Sequence, residues 1–229
     1  MSVADKLIWI VVFVVIALLM SFLRDTKSKN KKVIFFGDSI TQSGMLQGGY
    51  ISLLKNILAR QGIYNYDLIG AGINGDKVYD LYLRMREDVI IQSPDITVIW
   101  IGVNDVWHKS THGTGTDADN FEKFYIAVTK DLLANKIKLM LVTPAVIGEK
   151  KDYSNQQNND LNIYAQIIRN IAKDYNLAVC DLHIIFHLYE MNNNMSDANS
   201  GILTTDGVHL NDAGNKLVAE EMWKVLKEI

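Results

Sequence analysis

Hydrophobic positions along this chain follow two alternating rhythms. Short, near-continuous apolar runs rich in β-branched residues recur at Lys32–Phe36, Tyr66–Ile69, Ile96–Ile101, Ile137–Thr143 and Leu177–Leu182, each ending at polar residues or glycine. Runs of this length without polar alternation predict strands buried on both faces, as in a parallel sheet. Between them the spacing changes to i, i+3, i+4. Tyr50, Leu53, Leu54, Ile57 and Leu58 form one such stripe, with Gly62 placed as its C-terminal cap. Val78, Leu81, Met85 and Val89 form a second, stopping before Pro94, and Phe121, Phe124, Val128 and Leu132 a third. Leu161, Tyr164, Ile167, Ile168 and Ile171 follow, and Leu217, Val218, Met222, Val225 and Leu226 close the chain. This alternation predicts a three-layer α/β/α domain around a five-stranded parallel sheet.

One segment breaks both rhythms. Leu7 to Leu23 carries no charge and has no polar face, which excludes an amphipathic core helix. At 1.5 Å per residue its length is about 25 Å, the short end of what crosses a bilayer. Lys6 and Arg24 flank it, and no small-x-small cleavage pattern follows, so a retained transmembrane anchor is expected rather than a cleaved signal. The expected organisation is an N-terminal tail (1–6), a single transmembrane helix (7–23), a basic linker (24–31) and one catalytic domain (32–229). Arg24, Lys27, Lys29, Lys31 and Lys32 follow the span, whereas only Lys6 and the amino terminus precede it. The positive-inside rule then keeps the large domain on the cytoplasmic side.

Charge removes one class of partner. The first 32 residues hold six of the 23 basic residues and two of the 26 acidic ones, leaving 17 basic against 24 acidic beyond them. A domain with that net −7 is a poor match for nucleic acid, so the basic stretch belongs to the membrane boundary. The single cysteine, Cys180, cannot form an internal disulfide and is expected as a buried, structural thiol.

Four short blocks carry the chemistry: Gly37-Asp-Ser-Ile-Thr41, Gly75-Asp76, Gly102-Val-Asn-Asp105 and Asp206-Gly-Val-His209. On the expected sheet they fall after the first, second and third strands and before the last helix, the side where open α/β sheets bind ligands. Ser39 is placed as a nucleophile at a strand-to-helix turn, although a serine there also serves as a helix cap. His209 is the candidate base. Asp206, three residues earlier, would fix its tautomer across a turn that Gly207 permits. The N–H groups of Ser39 and Gly75 and the amide of Asn104 are candidate donors to an oxyanion. Trp107 and His108 are placed as possible pocket lining. The Asn-rich stretch from Asn192 to Gly201 is expected as a flap. No metal is implied, since no further histidine has ligand spacing, and no organic cofactor, since no Gly-rich phosphate loop follows the first strand.

These blocks resemble the SGNH hydrolases, also called the GDSL lipase/esterase family, from about residue 32 to the end. The family's Ser, Gly, Asn and His fall on Ser39, Gly75, Asn104 and His209, and its Asp on Asp206. Gly48-Gly-Tyr50 and Asp206-Gly-Val-His-Leu210, followed by Gly214-Asn215, are most similar to the small-ester branch of isoamyl-acetate-hydrolysing esterases. The resemblance implies a flavodoxin-like sandwich and serine-dependent hydrolysis of short acyl or acetyl esters. The alternatives are a lysophospholipase or thioesterase acting on membrane-derived chains, and a non-catalytic binding module that kept the fold.

Overall fold

The five apolar runs become five parallel strands, with no bound shifted by more than three residues from the sequence reading. They are β1 (Lys31–Gly37), β2 (Tyr66–Gly72), β3 (Ile96–Trp100), β4 (Lys138–Val142) and β5 (Ala178–Cys180), in spatial order β2-β1-β3-β4-β5. The central strands are buried on both faces, which is why they read as unbroken hydrophobic runs; β2 and β5, at the edges, are only partly buried. This computed structural model describes residues 9, 10, 12–16, 30–151 and 154–229.

Among the described residues of the domain, eight α-helices connect and flank the strands: α1 (Ser39–Gly44), α2 (Tyr50–Arg60), α3 (Val78–Met85), α4 (Val103–Thr111), α5 (Ala118–Ala134), α6 (Gln156–Asp174), α7 (Leu182–Asn193) and α8 (Asp212–Leu226). Helices α2 and α8 pack together as one outer layer, and α3, α5 and α6 form the other. Each stripe read from the sequence is an inward face: Tyr50, Leu54, Leu58, Phe121, Val128, Leu132, Leu161, Ile168, Val218 and Met222 are all buried. Gly62 follows α2 with φ +71°, as its capping position requires. The Val78–Val89 stripe does not continue as one regular helix. After Met85 the chain widens into a π-helical turn, Arg86–Ile90, which still buries Val89.

Register sets the level of the site. Gly37 at the end of β1 pairs with Gly72 of β2 and Trp100 of β3, so three strands release their chains at one height. The strand order reverses direction between β1 and β3, and that crevice is where open sheets of this order bind ligands.

The chain divides into two compact units, Met1–Asn30 and Lys31–Ile229. In the first, residues 9, 10 and 12–16 are helical, and Trp9 and Phe13 are exposed. Most of the expected anchor, 7–23, lies outside the described residues. Among those described, no helix is long and apolar enough to cross a membrane.

Two interior groups fit their expected or ordinary roles. Cys180 is buried, and burial pushes its thiol up to about 12. His183 is half-buried, with Nδ1 2.9 Å from the Ala145 carbonyl, and desolvation holds its imidazole below the usual range.

Candidate active site

After Gly37 the chain turns into α1 within one residue. The cap of α1 is Asp38, whose carboxylate accepts from the Ile40 N–H at 2.9 Å. Ser39 is therefore released from the capping role and stands as the first residue of the helix, its N–H among those with no intrahelical acceptor. Its hydroxyl lies 3.1 Å from Nε2 of His209. His209 Nδ1 lies 2.7 Å from Asp206 Oδ2, while the other Asp206 oxygen accepts from the N–H groups of Val208 and His209 at 2.9 and 2.8 Å. Burial raises the Asp206 carboxyl, but these hydrogen bonds from His209 and Val208 outweigh it and hold it below the usual carboxylate range. A carboxylate so fixed favours the tautomer that carries its proton on Nδ1, leaving Nε2 to accept from Ser39. Gly207 makes this turn with φ +93°, and a side chain there would press on the backbone of Gly148 and Asn199.

The donor side is built from β2 and β3. Residues 73–76 form a turn closed by the Asp76 N–H on the Ile73 carbonyl at 3.3 Å, and the turn is tied to β1 by the Ile73 N–H on the Gly37 carbonyl at 3.2 Å. Gly75 has φ +82°, a conformation that favours glycine. Lys77 Nζ holds the Gly75 carbonyl at 3.1 Å. Asn104, buried at the start of α4, donates one amide hydrogen to the Asp76 carbonyl at 3.0 Å. A primary amide has two such hydrogens, so the second remains for a substrate oxygen. Trp107 meets the His209 ring edge-on, with centroids 5.9 Å apart. His108 approaches Gly75: a Cβ built there would lie 3.8 Å from its Cε1. Contacts thus link Ser39, Asp206, His209, Trp107, His108 and Gly75 in one cluster, with Asn104 bonded to the neighbouring Asp76 carbonyl.

Two acidic side chains, from the first and third motif blocks, are the most deeply buried. Asp38 and Asp105 are buried, and desolvation pushes each carboxyl up to about 7. Near neutrality each therefore carries less than full negative charge. Both are engaged by backbone, Asp38 with Ile40 and Asp105 with the Val78 N–H at 3.2 Å. Among the described residues, no group of three His, Cys, Asp or Glu side chains is arranged to hold a metal.

The raised Asp105 carboxyl carries a stability consequence. Between about pH 4 and 7 the folded chain holds a proton on Asp105 that the unfolded chain releases, so this group makes stability fall as pH rises. Asp105→Asn removes that dependence. The variant's stability relative to the parent is expected to improve from pH 5 to pH 8 by a few kcal/mol at most. Denaturant unfolding at both pH values measures it, and an offset that does not change with pH would contradict the assignment.

Arg84 is absent from the sequence reading yet central to the site. Its guanidinium donates to Asp76 at 2.7 Å, to Asp88 at 2.6 Å, to the Gly37 carbonyl at 2.8 Å and to the Ala71 carbonyl, and it lies over the Phe36 ring. It joins the ends of β1 and β2 to the Gly75 turn. Only its place on the inner stripe side of α3 signals this role in the sequence. The Asn-rich stretch is corrected: it is not a free flap. Asn194 is buried and donates to the Glu149 and Ala198 carbonyls, both at 2.8 Å, while the Asn199 carbonyl accepts from the Glu149 N–H at 2.9 Å.

A parallel 2-1-3-4-5 sheet with serine, histidine and aspartate converging at its carboxyl edge defines a serine hydrolase of the flavodoxin-like type. The profile of the GDSL-like lipase/acylhydrolase family matches residues 35–217, and the chain belongs to that family as an ester hydrolase. Its structure is similar to that of the acetyl xylan esterase AlAXEase, with 56% identity and a TM-score of 0.83 over 84% of this chain and 98% of the other. It is 28% identical over 211 residues to an acetylxylan esterase of Geobacillus stearothermophilus, covering 82% of this chain and 90% of the relative. It is also 25% identical over 209 residues to an isoamyl acetate-hydrolyzing esterase 1 homolog of Rattus norvegicus, covering 85% and 81% of the two chains.

Proposed function

We propose that this protein removes acetyl and other short acyl groups from hydroxyl-bearing substrates through an acyl-enzyme on Ser39. The observation that carries the reading is the line from Ser39 Oγ to His209 Nε2 and from His209 Nδ1 to Asp206, at 3.1 and 2.7 Å. Ser39 Oγ attacks the ester carbonyl while His209 takes its proton, and Asp206 stabilises the imidazolium that forms. The carbonyl oxygen becomes negative and is met by the N–H groups of Ser39 and Gly75 and by the Asn104 amide. Collapse of the intermediate expels the alcohol, protonated by His209. Water then attacks the acyl-Ser39 ester with His209 again as base, releasing the carboxylic acid. Trp107 and His108 line the pocket.

An acetyl group on a carbohydrate hydroxyl is the favoured substrate, on the strength of the similarity to acetyl xylan esterases. A series of 4-nitrophenyl esters from two to twelve carbons tests acyl length. kcat/KM is expected to be greatest for acetate and to fall about ten-fold or more by eight carbons, as a pocket closed to extra methylenes requires. A maximum at eight to twelve carbons would move the substrate to lipid-derived chains. Release of acetate from acetylated xylo-oligosaccharides tests the alcohol side.

The charge-free run 7–23 is proposed as a single-pass anchor with the catalytic domain on the cytoplasmic side. Full-length protein is then expected to resist carbonate extraction, and a chain starting at Lys31 to be soluble and active. Natural protein found in the soluble fraction without its first residues would identify a cleaved signal instead.

A further inference from the structure

The catalytic turn Asp206–His209 is not part of any strand or helix, yet its two side chains must hold sub-ångström geometry. We propose that Glu149, which lies outside all four motif blocks, is the positioning residue that fixes this turn. The assignment deepens the serine-esterase reading above and rests on it.

Glu149 follows β4 and is completely buried. Its side chain accepts from three successive backbone N–H groups: Ile202 on Oε2 at 2.8 Å, and Leu203 and Thr204 on Oε1 at 2.5 and 2.8 Å. Those residues lead directly into the catalytic turn. The link continues without a gap, because the Thr204 hydroxyl accepts from the Gly207 N–H at 3.0 Å, and the Thr205 N–H donates to the His209 carbonyl at 2.8 Å. The backbone around Glu149 reinforces it. The Gly148 N–H donates to the Gly207 carbonyl at 2.7 Å, and the Glu149 carbonyl accepts from buried Asn194.

The donor count explains why a carboxylate stands here. Three parallel N–H groups need acceptors only, and a carboxylate presents two oxygens that both accept, whereas a carboxamide would turn one NH2 toward a donor. Residues 202–204 cannot satisfy these N–H groups through a strand or helix of their own. Without Glu149 all three would lose their acceptor, those of Leu203 and Thr204 while buried, and the segment would be driven to move. Any movement is passed through Thr204 to Gly207, and so to the angle at which His209 faces Ser39.

The test compares Glu149→Gln, Glu149→Asp and Thr204→Val in the full-length protein on 4-nitrophenyl acetate, each normalised to folded protein by circular dichroism. Glu149→Gln is expected to lower kcat on the order of 100-fold, the scale set by a misplacement of about 1 Å, with KM within about twofold. Glu149→Asp, which keeps two acceptor oxygens, should recover part of that loss. Thr204→Val breaks the link one step nearer the turn and should lower kcat about ten-fold on the same reasoning, and it carries the test if Glu149→Gln does not fold. Introduced into His209→Ala, these substitutions should reduce the residual rate less than about twofold, because a group acting through His209 has nothing left to position. A folded Glu149→Gln or Thr204→Val with parental kcat, or an equal loss in both backgrounds, would overturn the assignment. An inactive parent would instead overturn the serine-esterase reading itself.

Discussion

Ser39→Ala is expected to abolish ester turnover and labelling by a fluorophosphonate while leaving the fold in place. The fold survives because Asp38, not Ser39, caps α1, and because the Ser39 hydroxyl has His209 as its partner at 3.1 Å. Without the nucleophile no acyl-enzyme forms. What remains is at most the electrostatic contribution of the donors, on the order of 10³-fold over water or less. His209→Ala should fall nearly as far, and the double variant little further, since the two groups act as one unit. Circular dichroism confirms the fold and 4-nitrophenyl acetate reports the rate. Substantial turnover by pure Ser39→Ala protein would end the serine mechanism.

Asn104→Ala is expected to lower kcat by roughly 10² to 10³ with little change in KM, the loss seen when one oxyanion donor is removed, about 3–4 kcal/mol. The asymmetry follows from geometry. One amide hydrogen is already committed to the Asp76 carbonyl at 3.0 Å, which aims the group without substrate present. The other meets an oxygen that gains charge only as the transition state forms, so its contribution belongs to kcat. Steady-state kinetics on the acetate ester separates the two parameters. A rise in KM with kcat unchanged would make Asn104 a ground-state binder and remove it from the oxyanion site.

Both variants act at a site whose parts lie far apart along the chain. Ser39 and His209 are 170 positions apart, and Asn104 reaches the Asp76 carbonyl across 28. Order along the chain nevertheless brings their loops to one edge, because an alternating α/β chain with a parallel sheet places every strand's carboxyl end there. The same topology makes the three loops after β1, β2 and β3 neighbours whatever their sequences.

What the sequence determined is what depends on local period. The apolar runs gave the strands, the 3.6-residue stripes gave α2, α5, α6 and α8, and Gly62 marked the end of α2, each within a few residues. The roles available to Ser39, Asn104, Asp206 and His209 were also legible, since they follow from side-chain chemistry and place in the alternation. Only the tertiary structure decided which of two neighbouring residues capped α1, because Asp38 and Ser39 are equally able to do so until His209 arrives from the far end of the chain. It alone turned the Asn192–Gly201 stretch from a flap into a fixed support, and it alone placed Arg84 and Glu149 at the junctions of the site. The last two outcomes rest on hydrogen bonds to backbone groups of distant segments. Backbone donors and acceptors are the same at every residue, so no pattern of side chains along the chain records which of them a buried arginine or glutamate will meet.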